Sequence, residues 1–145
     1  MQSLDLDSQL KEWTLDAKTL ALNYGYKIEQ SGDVERVTSA PRMVLFCKKE
    51  FIANFIYSKN KLKHIELIPI IENVDIPNYP SEEYQSKKIN YCNELLKRCF
   101  GDRPTILPDG VQWITEKYTI GCYAVNTGKD KYTGGNISID VRHTS

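Results

Sequence analysis

The sequence predicts an α+β domain in which two long helices pack on an antiparallel sheet, in the order α-β(4-5)-α-β-β. Three observations carry this expectation. Apolar residues near the start recur at alternating steps of four and three, apolar residues in the middle alternate, and a second helix-period segment follows a proline-bounded loop. At 145 residues the chain has the common size of one domain, so one core over residues 1–145 is expected.

Leu6, Leu10, Trp13, Ala17, Leu20 and Tyr24 share one stripe and predict a first helix from about residue 6 to 24. Asp5 or Asp7 can cap its start, and Gly25 can take the left-handed conformation that ends it. "YKIEQ" and "VERV" flank Ser31-Gly32-Asp33, a hairpin spacing. After the break at Pro41, residues 43–70 read as two or three antiparallel strands. Phe51, Ala53, Phe55 and Tyr57 alternate on one face there, and Lys59-Asn60-Lys61 forms the clearest turn.

Residues 72–80, with Pro77 and Pro80, predict a loop. Ser81 then offers an N-cap to a second helix of about 19 residues, along one side of which lie Tyr84, Lys88, Tyr91, Cys92, Leu95, Leu96 and Cys99. Gly101 stops it. "RPTILPDG" is the connection back, and "VQWITEKYTIGCYAV" with "NISIDVR" reads as a closing pair of strands.

Nineteen basic residues balance nineteen acidic ones, which argues against a direct nucleic-acid binder that works by neutralising phosphates. No apolar run approaches the roughly 20 residues that span a bilayer, and Asp5, Asp7 and Glu12 stand where a secretion signal carries lysines. A cytoplasmic protein without a membrane role is therefore expected. Cys47, Cys92, Cys99 and Cys122 contain no C-x-x-C pair and only two histidines accompany them, so they read as small buried hydrophobes, with no metal and no cofactor implied.

"NTGKDKYTGG" resembles a phosphate loop only superficially. Asp130 follows Gly128-Lys129 where a hydroxyl would bind magnesium, and no helix follows, so a hairpin connection is expected. "KEFIANFIY" lacks the glycines of an RNA-recognition strand. Nucleophilic catalysis would need an activated Ser or Cys beside a base, and Cys47 with His64 is the one pairing to consider. The stronger candidate is a recognition surface. Between His64 and Ser86 there is no Lys or Arg, and Glu66, Glu72, Asp75, Glu82 and Glu83 give that stretch a formal charge of −5. Tyr79 and Tyr84 add the aromatic area favoured where proteins meet.

The helix "SKKINYCNELLKRCFG", the strand "QWITEKYTIGCYAV" and the glycine-bearing hairpin into "ISIDVR" together resemble the small immunity proteins of bacterial polymorphic and contact-dependent toxin systems, over about residues 81 to 142. The resemblance implies a cytosolic, non-catalytic inhibitor, monomeric or homodimeric, that binds one cognate toxin or effector protein, often a basic nuclease. It transfers no residue roles. Two alternatives stand beside it: a secretion chaperone for an effector, and a small enzyme using Cys47 and His64.

Overall fold

The computed structural model describes Leu10 and residues 13–71, 82–101, 103–124 and 135–141, the side chain of Glu82 excepted. Among them are helices α1 (Ala17–Tyr24) and α2 (Glu82–Phe100) and nine strands. The strands are β1 (Lys27–Ser31), β2 (Val34–Thr38), β3 (Val44–Phe46), β4 (Lys49–Ser58), β5 (Lys61–Pro69), β6 (Thr105–Leu107), β7 (Gly110–Ile114), β8 (Tyr118–Tyr123) and β9 (Ile137–Val141). All pairings are antiparallel, in the spatial order β1-β2-β4-β5-β9-β8-β7-β6, with β3 paired to β4.

This overturns the expected pair of long helices on a smaller sheet. The sheet dominates, and only α2, with 19 residues, is long; α1 has 8. The expected helix over 6–24 breaks because Asp16 acts as a cap in its middle. Its backbone is extended, with φ −66° and ψ 162°, and its carboxylate accepts from the Thr19 amide at 2.9 Å and the Thr19 hydroxyl at 2.9 Å. A short side-chain acceptor competes with the helix for local donors, and here it restarts the helix at Ala17. Asp5 and Asp7 lie outside the described residues. The apolar stripe keeps its role despite the break, since Leu10, Trp13, Ala17 and Leu20 are all buried. Gly25 ends α1 as expected, with φ 70°.

The other correction concerns the closing pair of strands, which proves to be four. "TIL" in β6 forms a hairpin with β7 across Pro108-Asp109, and the run expected as one strand folds back at Thr115. The Thr115 amide donates to the Tyr118 carbonyl at 2.8 Å, and its hydroxyl accepts from the Tyr118 amide at 3.0 Å. β8 and β9 are adjacent and antiparallel, so the segment around "NTGKDKYTGG" connects neighbouring strands, as a hairpin does. Its residues 125–134 lie outside the described set.

Both helices cover one face. Directly opposed residues of an antiparallel ladder point the same way. Val37, Phe55, Ile65, Ile139, Ile120 and Trp113 therefore form one buried row across six strands. α1 and the turn before it close over one half of this face. Trp13 places its ring 5.5 Å from that of Phe55 and 6.3 Å from that of Phe46, and the Tyr57 hydroxyl donates to the Leu15 carbonyl at 2.7 Å. α2 closes over the other half. Phe100 stacks near Phe46 and Trp113, and the Trp113 indole N–H donates to the Gly101 carbonyl at 3.2 Å, which anchors the end of the helix.

Candidate interaction surface

The opposite face of the sheet carries no element among the described residues. Register defines its side chains. One row runs Arg36, Ile56, His64, Asp140, Thr119, Ile114, and the next runs Thr38, Asn54, Glu66, Ser138, Gly121, Gln112. Most of these residues are half-buried by their neighbours, while Arg36, Asp140 and Ile114 are exposed. The mixture of isoleucine, hydroxyl, amide and charge suits protein recognition, because apolar area is present and charges stand at defined positions within it.

Cross-strand pairs hold the polar groups in place. His64 Nδ1 lies 2.7 Å from a carboxylate oxygen of Asp140, joining β5 to β9. The Asn54 amide donates to Glu66 at 3.3 Å, and the Tyr123 hydroxyl donates to Gln112 at 3.0 Å. Gly121 makes the last contact achievable. A Cβ there would run into the Tyr123 hydroxyl and lie 2.7 Å from the Val111 carbonyl, so only glycine lets the tyrosine ring cross the row. Burial pushes the Tyr123 hydroxyl above its ordinary pKa, with the charges of Asp140 and Asp109 adding to the effect. It remains a donor at neutral pH.

The sequence-predicted residues are placed unevenly. Glu66 sits in the second row of this face. Glu83 is exposed on the first turn of α2, where Lys87 lies 3.3 Å from its carboxylate. Tyr84 does not belong to a surface: it is 7% exposed and packs beneath the helix. Its ring lies 4.7 Å from Lys88 Nζ, and burial raises its pKa. Glu82 begins α2, with its side chain outside the described residues, and Glu72, Asp75 and Tyr79 also lie outside them.

Sequence reasoning put Lys88 on the buried side of α2 without a role, and it is completely buried. Its ammonium donates to the side-chain amide oxygen of Asn136 at 2.9 Å. Burial lowers its pKa, with the carboxylate of Glu66 among the groups that oppose the shift. Gly135, with φ +85°, sets the close approach beside it, for a Cβ there would lie 2.8 Å from Lys88 Cβ. Lys88 thus ties α2 to the start of β9.

Cys47 and His64 are not neighbours. Cys47 occupies the β3–β4 turn on the helix-covered side, while His64 stands opposite Ile56 on the other face. About seven residues of β4 separate those positions, roughly 23 Å at strand rise. The thiol contacts Cys99 instead, and burial pushes its pKa up. Among the described residues no group of three His, Cys, Asp or Glu is placed to hold a metal ion, and no helix is long and apolar enough to cross a membrane.

The chain matches no family model, no curated protein and no solved structure.

Proposed function

We propose that this protein is a cytoplasmic protein-binding module, an inhibitor of the immunity type that neutralises a cognate toxin domain of basic character. The outer sheet face is its recognition surface. The observation that carries this reading is the pair of rows just described, in which His64, Asp140, Asn54, Glu66 and Gln112 are held by hydrogen bonds between strands before any partner arrives. A surface ordered in advance loses less side-chain freedom on association, and that saving goes into affinity. The carboxylates of Glu66 and Asp140 lie on this face, and the stretch without Lys or Arg runs from His64 through Ser86. Opposite charge on the partner would raise the association rate without any cofactor.

The test is kinetic. The variant Glu66→Lys/Asp140→Lys should associate roughly tenfold more slowly with the proposed toxin partner, the purified product of the gene immediately upstream, at low salt, and the deficit should shrink as salt rises. Equal association rates for the two proteins, or no binding by either, would overturn the reading.

A further inference from the structure

Thiols join α2 to the sheet in two places. Cys92, in the middle of the helix, faces the Cys122 thiol of β8, which helps to raise its pKa. Cys99, near its end, faces Cys47 of the β3–β4 turn and helps to raise the Cys47 pKa. Independent contacts fix both juxtapositions. The Cys122 thiol donates to the Gly135 carbonyl at 3.3 Å, and Gly135 lies against Lys88 and Ile89, one turn before Cys92, and against Gln85, two turns before it. Phe46 and Phe100, the chain neighbours of Cys47 and Cys99, bring their rings within 6.3 Å. Cys92 and Cys99 are seven residues apart, two helical turns, so both project from the same side about 10 Å apart. The chain has four cysteines, and the two pairs use all of them.

We infer that these are two built cystine sites, Cys92–Cys122 and Cys47–Cys99, which close when the chain folds in contact with a disulfide oxidant such as glutathione disulfide. In each site one thiolate attacks a sulfur of glutathione disulfide and releases one glutathione thiolate. The second protein thiolate then attacks the mixed disulfide, forms the Cys–Cys bond and releases the second glutathione. The two cysteines lose two electrons and two protons, and the oxidant leaves as two reduced glutathiones. A reducing cytosol keeps both sites open, so bonds form there only under oxidising conditions. Burial also sets the route. Cys47 and Cys92 are shielded and held protonated in the folded chain, so oxidation runs during folding, while the thiols are still within reach of the oxidant. The inference is independent of the recognition surface, because both pairs lie on the helix-covered face.

Peptide mapping tests it. The full chain, reduced and denatured, is refolded in mixed reduced and oxidised glutathione, quenched with acid and digested with trypsin without reductant. Cleavage after Lys48, Lys97, Arg98 and Lys117 puts the four cysteines on four peptides. The expected map contains Cys92 linked to Cys122 and Cys47 linked to Cys99, each linked pair lighter by two hydrogens than its parts, and no other cross-link in quantity. The same refolding of Cys122→Ser should leave Cys47–Cys99 formed and Cys92 unlinked to either. Four free thiols, glutathione adducts in place of cross-links, Cys92–Cys99 linkage, or re-pairing of Cys92 in the variant would overturn the inference.

Discussion

Under reducing conditions, raising the pH should weaken the fold through Cys47 and Cys92. Both thiols are held protonated in the native state well above the ordinary value of 9.0. Burial is the main cause for Cys47; for Cys92 the interaction with the Cys122 thiol comes first and burial second. The unfolded chain therefore loses these protons first. Stability from the pair is fully present below about pH 9 and declines above it, because the native state then binds more protons than the unfolded one. Each thiol contributes about 1.4 kcal/mol of loss between about pH 8 and about pH 10, or about 3 kcal/mol for the two. Lys88 acts in the opposite sense. Burial lowers its pKa, so its unfolded form binds more protons and stability rises as pH climbs through its folded value toward 10.5. Comparison with Cys47→Ala/Cys92→Ala removes that contribution and those of the tyrosines, which both proteins share. Urea unfolding followed by the fluorescence of the buried Trp13 and Trp113, with reductant present, gives the two stabilities. The difference between wild type and variant should shrink by about 3 kcal/mol across that range. A difference independent of pH would refute the reasoning.

Gly121→Ala should destabilise the fold by about 1–3 kcal/mol in urea titration, since the added carbon meets the Val111 carbonyl and the Tyr123 hydroxyl. Asp16→Ala should lower the melting temperature, whereas Asp16→Asn should keep most of the cap. The hydrogen bonds from Thr19 hold the Asp16 carboxyl below its ordinary value of 3.8, so the wild-type benefit is present above that value and is lost as pH falls through the folded one. Thermal melts across the acid range should show that dependence in wild type and its absence in Asp16→Asn. Lys88→Ala should cost about 2–5 kcal/mol, because it opens a cavity and leaves the Asn136 oxygen without its ammonium; urea unfolding reads the loss.

What was legible in the sequence is local. The alternation of Phe51, Ala53, Phe55 and Tyr57 identifies the core face of β4, and all four are buried. The Lys59-Asn60 turn has φ of 52° and 65°, the positive dihedrals that asparagine tolerates. Gly101, with φ 98°, ends α2 where its position implies. The errors arose where one short polar side chain outweighed a periodic pattern. Asp16 lies within the span of the expected first helix and Thr115 within a run of strand formers, yet each uses its oxygen to turn the backbone. The proposed recognition surface was hidden for another reason. Of its members the sequence singled out Glu66 alone, from charge, because His64 and Asp140 are 76 positions apart and only the β5–β9 register makes them partners. Tyr84 misled because tyrosine is common both at interfaces and under helices. The cysteine pairs are likewise set by the docking of α2, which no local spacing encodes.

The proposed recognition surface is tested most directly by amide chemical-shift mapping of the isotope-labelled chain during titration with the proposed toxin partner, the product of the gene immediately upstream. The account predicts perturbations concentrated at Asn54, Ile56, His64, Glu66, Ser138, Asp140 and Thr119, on the four central strands β4, β5, β9 and β8. Perturbations confined to α1 and the exposed side of α2, with those strand residues unmoved at saturation, would contradict it.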